Sequence, residues 1–140
     1  MPIAINTVQH PLPSPRRCFK LGRAVGDAIA SYPQDLKVVI LGSGGLSHQL
    51  DGERAGHINK EFDLRCMDLL VHDPGALLDY SIDDLIELAG SQGVELINWI
   101  AARGALTGAV GKLHSNYHIP ISNTATGLLL LENVETANAS

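Results

Sequence analysis

The stretch Lys37–Asp63 reads KVVILGSGGLSHQLDGERAGHINKEFD. Its opening residues, Val38-Val39-Ile40-Leu41, form a short apolar run that reads as a buried strand. The run stops at Gly42-Ser43-Gly44-Gly45, and His48 follows three residues later between Ser47 and Gln49. In open α/β sheets ligands bind just beyond the carboxyl ends of the strands. Glycines there let the backbone come close to a ligand. A histidine at that place suits proton transfer, because its ordinary pKa lies near neutrality. The plainer readings stand beside these. Gly-rich turns usually just connect elements, and a structural histidine is as open as a catalytic one. Gly42–Ser47 lacks the sixth-place glycine of a dinucleotide fingerprint, and no Gly-Lys-Ser/Thr marks a P-loop. A dinucleotide-binding domain is therefore the weakest reading.

Outward from this stretch, strand and helix signals alternate, which argues for an α/β fold with a small mixed sheet flanked by helices. Ile3–Val8 is short and apolar and reads as a possible strand. Ser14-Pro15 looks like a helix cap with proline at the first turn. Phe19, Leu21, Ala24, Val25, Ala28 and Ile29 then recur at helical spacing to about Tyr32, before Pro33. Asn59 caps a second helix to Val71, with Phe62, Cys66, Leu69 and Leu70 inward. Asp73-Pro74 and Ser81-Ile82 open two further helical pieces. Val94–Ala102 reads as another helix, and Gly104 suits its end. Tyr117–Ile119 and Thr126–Leu131 read as strand-like. Residues 1–140 are taken as a single domain or half-domain, with 132–140 a polar, frayed tail. Three or four strands are few for such a fold, so an edge left for another chain or segment to cover is expected.

Bulk composition excludes several classes. The 140 residues are 45% hydrophobic and 18% charged, as in a globular protein. A net charge of −5 gives no basic footprint for nucleic acid or an anionic membrane surface. No apolar run reaches the roughly 20 residues that span a bilayer. The first residues, Met1-Pro-Ile-Ala-Ile-Asn, do not read as a signal peptide. Cys18 and Cys66 lack metal-ligand spacing and read as free thiols, so a cytoplasmic protein is expected.

Two more segments carry chemistry-bearing residues. Glu95 lies on one helical face with Ser91, Asn98 and Trp99, where the plain reading is a solvated glutamate at a helix N-terminus. His118-Ile119-Pro120-Ile121-Ser122-Asn123-Thr124 is a turn with hydroxyls and an amide.

Taken together these segments form a recognisable set. Pro-Ser-Pro-Arg-Arg-Cys-Phe, Gly-Ser-Gly-Gly-Leu-Ser-His-Gln, Gly-Glu-Arg-Ala-Gly-His-Ile-Asn-Lys-Glu-Phe-Asp, Gly-Val-Glu-Leu, Arg-Gly-Ala-Leu and Tyr-His-Ile-Pro-Ile-Ser-Asn-Thr-Ala follow in order. In these the chain resembles the C-terminal half of catalytic (beta) subunits of the protocatechuate 4,5-dioxygenase type, in the class III extradiol ring-cleaving dioxygenase family. The resemblance covers nearly the whole chain. It implies a non-haem Fe(II) site of two histidines and one carboxylate, with open positions for a catechol and O2. It places the carboxylate ligand at Glu95 and the acid–base histidine at His48. Substrate-carboxylate contacts fall near Ser122 and Asn123. A catecholic acid such as protocatechuate is implied, preferred over gallate on the Ile-Ser-Asn-Thr stretch.

The family's two iron-binding histidines belong to its N-terminal half and have no counterpart here. His10, His57, His72, His114 and His118 read as structural or exposed, not as ligands. The chain is thus expected to be half an active site, incomplete and inactive alone. Its implied partners are the missing N-terminal half, the small helical subunit that accompanies such enzymes, or a second copy. The competing reading is a noncatalytic binding or assembly module that keeps the dioxygenase fold. His48 and Glu95 are expected to face one concave region beyond the Lys37–Leu41 strand.

Overall fold

In the computed structural model, which describes residues 1–134, helices α1 (Pro15–Ala30), α2 (Lys60–His72), α3 (Ile82–Ala89) and α4 (Leu96–Gly104) precede a two-stranded ribbon. The ribbon pairs β1 (Val110–His118) with β2 (Thr126–Asn133) antiparallel, from Val110 opposite Asn133 to His118 opposite Thr126. A bulge interrupts the register between Lys112 and His114. Short 3-10 segments, Pro74–Asp79 and Gly93–Glu95, lie between α2 and α3 and between α3 and α4. The fold is α/β as expected, but the sheet is purely antiparallel. Glu132 and Asn133 belong to β2, and 135–140 of the expected tail lie outside the described residues.

The caps form as the sequence signals them. The Ser14 hydroxyl accepts the Arg17 N–H, and Asn59 Oδ1 accepts the Phe62 N–H. Ser81 and Asp84 make a reciprocal capping box. The Ser81 hydroxyl and N–H both donate to Asp84 Oδ2 and hold this exposed carboxyl below its usual range.

The face that α1 buries is different from its most apolar residues. Pro15, Cys18, Gly22 and Gly26 are buried, whereas Leu21, Ala24 and Ala28 are exposed. The reason is close packing against α4. A Cβ at Gly22 would collide with the Ala101 carbonyl, one at Gly26 with the Ala105 carbonyl, and one at Gly104 with the Phe19 carbonyl. Backbone-to-backbone approach, not side-chain bulk, joins these helices.

Behind them Leu46, Phe62, Cys66, Met67, Leu70, Leu77, Leu85, Val94, Leu96, Ile97 and Ile100 make one core. Burial pushes the Cys66 thiol up to about 12, aided by the nearby Asp63 carboxylate. Arg103 is buried and donates to the Leu70, Leu106 and Gly108 carbonyls, tying the end of α2 to the end of α4. Loss of solvation holds its pKa below the usual arginine value.

The reading of Lys37–Leu41 as a buried strand is corrected. The segment has no strand partner among the described residues, and Val39 and Leu41 are 75% and 87% exposed. Apolar content alone does not make a strand; a neighbour must supply the ladder hydrogen bonds. Ile3–Val8 is likewise irregular, with Asn6 bonded to its own loop through the Val8 and Gln9 amides.

Replacing Gly22 by Val is expected to force α1 off α4 and lower stability by about 1–3 kcal/mol or more, as overpacking does. The exposed Ala24→Leu is expected to stay within about 0.5 kcal/mol. Urea unfolding midpoints of the two variants check this.

Candidate functional site

Gly42-Ser43-Gly44-Gly45 lies as a strap across the N-terminal part of α4. A Cβ at Gly42 would stand 2.9 Å from the Asn98 carbonyl oxygen and from Ala102 Cβ. One at Gly44, where φ is +131°, would stand 2.8 Å from Glu95 Cβ. Only glycine meets both the conformation and the clearance at Gly44. Two polar contacts fasten the strap. Trp99 Nε1–H donates to the Gly44 carbonyl at 3.1 Å, and the Gly45 N–H donates to Glu95 Oε2 at 3.0 Å.

Glu95 is therefore not a freely solvated cap. It stands at the N-cap position of α4 but makes no side-chain capping bond. Its half-buried carboxylate spends one oxygen on the strap, and no bond to Oε1 occurs among the described residues.

His48 stands on the other side of Gly45. A Cβ there would lie 2.8 Å from His48 Cε1 and 3.0 Å from Nδ1. Across this one residue, Glu95 Oε2 and the imidazole are no more than about 8 Å apart, given standard backbone dimensions. The expectation that these two side chains approach one another is met at Gly45.

The His48 backbone is pinned on two sides. Its N–H donates to the Ala89 carbonyl at 2.8 Å, and its carbonyl accepts from the Gly93 N–H at 3.1 Å. It also forms an isolated antiparallel bridge with Thr124, where the Leu46 N–H donates to Ala125 and the Ala125 N–H to Ser47. The residue is 7% exposed, and Nδ1 lies 2.8 Å from the Leu46 carbonyl oxygen. A carbonyl only accepts, so the neutral ring carries its proton on Nδ1. Nε2 has no partner among the described residues, and no fully buried side-chain nitrogen or oxygen lacks one there. Nε2 is thus the solvent-reaching atom, with a free lone pair.

Ser122 and Asn123 are exposed in the turn between β1 and β2. Asn123 takes the left-handed conformation at φ 56°, which asparagine tolerates. Its amide faces Gly56, where a Cβ would stand 3.6 Å from Nδ2. Both residues sit next to Thr124, and so close in the chain to the His48 bridge.

Two clefts, of about 220 and 490 Å³, lie between α2 and the ribbon and beside α1, and neither is lined by His48, Glu95, Ser122 or Asn123. No group of three or more histidine, cysteine, aspartate or glutamate side chains suited to a metal occurs among the described residues.

Sequence reasoning missed Asp63. This carboxylate, 1% exposed, accepts from the Ser47 N–H at 2.8 Å, the Ser47 hydroxyl at 2.6 Å and the Tyr117 hydroxyl at 2.8 Å. The Ser47 oxygen in turn accepts the Asn59 N–H at 2.8 Å. The signal was present: Asp63, Cys66, Met67 and Leu70 share one helical face, and an acid in an apolar stripe needs partners.

Comparisons with known proteins identify the family. Residues 1–127 match the family described as the catalytic LigB subunit of aromatic ring-opening dioxygenase. The chain belongs to that family. It is 44% identical over 137 residues to a gallate dioxygenase of Pseudomonas putida, covering 98% of this chain and 40% of that protein. It is 32% identical to a 2,3-dihydroxyphenylpropionate/2,3-dihydroxicinnamic acid 1,2-dioxygenase of Xanthobacter autotrophicus, covering 91% of this chain and 55% of the relative. An Azotobacter vinelandii enzyme of the same name is 30% identical, with 91% and 54% covered. The chain thus spans only about half the length of these relatives. No described helix is long and apolar enough to cross a membrane.

Burial and the Asp63 carboxylate raise the Tyr117 pKa well above its ordinary value of 10.0. A raised pKa means that the unfolded chain loses this proton first. The contribution is complete below pH 10 and is lost as pH rises toward the folded value. Wild-type stability is therefore expected to fall more steeply above pH 10 than that of Tyr117→Phe, measured by urea unfolding between pH 8 and 11.5.

Proposed function

We propose that this chain supplies the acid–base imidazole and one metal-ligating carboxylate of an extradiol ring-opening site acting on a catecholic acid with O2. The observation that carries this reading is the meeting of His48 and Glu95 on the two sides of Gly45. The free Nε2 lone pair of His48 is suited to accept a phenolic proton and later return it. Glu95 offers a hard anionic oxygen of the kind that ferrous iron accepts. Glu95 is one donor, however, and the described residues do not by themselves fit an iron site. The remaining ligands would come from outside this chain.

Ser122 and Asn123 are the proposed contacts for the substrate carboxylate. A hydroxyl and an amide supply the donors such a group needs, and both are exposed. Protocatechuate is the preferred substrate on the Ile-Ser-Asn-Thr stretch. The 44% identical gallate dioxygenase makes gallate the substrate to compare with it. The proposed partner is the part of the family's subunit that this chain does not cover, with the small helical subunit or a second copy as alternatives. The open Val38–Leu41 segment and the exposed Leu128 and Leu130 of β2 support such a partner. Two unpaired cysteines fit a reducing compartment such as the cytoplasm. The same exposed apolar groups also favour the second reading, a noncatalytic assembly module.

Anaerobic iron loading and oxygen uptake separate these readings. The isolated chain is expected to retain no stoichiometric Fe(II) and to consume no oxygen with protocatechuate or gallate. Mixed with the complementary N-terminal half, it is expected to do both. In that assembly Glu95→Ala should lose iron, whereas His48→Ala should keep iron and lose about 10²–10⁴-fold in rate. Turnover by the isolated chain would overturn the half-site reading. An assembly with no ring opening on any catechol would favour the assembly module.

A further inference from the structure

The buried Asp63 carboxylate has no part in the proton transfer or the ligand set described above. Its position relative to one peptide group gives it a role. The Leu46 carbonyl accepts from His48 Nδ1–H at 2.8 Å, and the Ser47 N–H donates to Asp63 Oδ1 at 2.8 Å. That carbonyl and that N–H are the two ends of a single planar peptide unit. The order is therefore carboxylate, peptide, imidazole.

We propose that Asp63 is a positioning residue for His48, acting through the Leu46–Ser47 peptide. The inference rests on the reading of His48 as the acid–base group. A carboxylate on the N–H end holds the peptide plane. The plane aims the carbonyl, and the carbonyl fixes which ring nitrogen keeps the proton. Hydrogen bonds in series also polarise one another, by about 10–30% per bond. The surroundings favour such coupling, since Ser47, Asp63 and His48 are 0%, 1% and 7% exposed. A charge-assisted bond to a peptide N–H is stronger than a neutral one. The other two bonds to Asp63 serve the carboxylate itself. The Ser47 and Tyr117 hydroxyls both donate to Oδ2, leaving Oδ1 to the peptide. Asp63 makes no hydrogen bond to the imidazole, so it acts through the peptide alone.

The test is the ring tautomer of His48, read from two-bond ¹⁵N–¹H correlations of the uniformly labelled full chain at a pH where the imidazole is neutral. Wild type is expected to show the Nδ1–H tautomer. Asp63→Asn, which keeps an acceptor but removes the charge, is expected to move His48 to a mixture of tautomers. Tyr117→Phe and Ser47→Ala spare the Oδ1–peptide bond and are expected to leave the tautomer unchanged. A folded Asp63→Asn with unaltered His48 ring signals would overturn the proposal. So would equal disturbance by all three variants, which marks a merely structural network. The Nε2–H tautomer in folded wild type would overturn it without any variant, including where Asp63→Asn fails to fold. In the assembly with the N-terminal half, Asp63→Asn is expected to keep its iron and lose about 10–100-fold in kcat, the range for groups that orient a site histidine from behind. The expected tautomers in an assembly without ring opening would support the positioning role while removing the proposed function.

Discussion

A carboxylate in an apolar interior costs several kcal/mol unless donors replace the water it has lost. Asp63 meets this demand with three neutral donors from two distant places, the Ser47 N–H and hydroxyl and the Tyr117 hydroxyl. Those bonds join α2, the turn that carries His48, and β1 of the ribbon. Ser47 passes the link on to the Asn59 N–H at the start of α2, so the segment between Ser47 and Asp63 is closed at both ends. Without this carboxylate, Ser47 and Tyr117 would keep neither a shared partner nor a fixed separation.

The second constraint is steric. Glycines at 42 and 44 let the strap lie directly on α4 and its N-cap, and glycines at 22, 26 and 104 let α1 pack closely on the same helix. α4 therefore meets two backbones at close range. Glu95 stands where the strap crosses, and His48 lies one turn of chain beyond it. A side chain at Gly45 would fill the space now taken by the imidazole ring. The glycine run thus brings a carboxylate and an imidazole together.

Much of this layout was legible in the residues. The helix caps at Ser14 and Asn59 have local causes, and each forms as read. The meeting of His48 with Glu95 was implied by the family resemblance. The Val38–Leu41 run was misread because strand formation is a pairwise property, and no partner for it lies among the described residues. The packing face of α1 was obscured because small residues, not large ones, mark a close helix crossing. Asp63 was passed over because its partners come from positions 16 and 54 residues away, which periodicity does not report.

The central claim is that the Gly44-Gly45 turn holds the Glu95 carboxylate and the His48 imidazole on its two sides. Through-space proton contacts in the folded, isotope-labelled chain measure this directly. The account predicts a cross-peak from the Gly45 amide proton to the Glu95 side chain and another from the Gly45 α-protons to His48 Hε1. A folded chain in which Gly45 contacts one of these side chains but not the other, or neither, would contradict it.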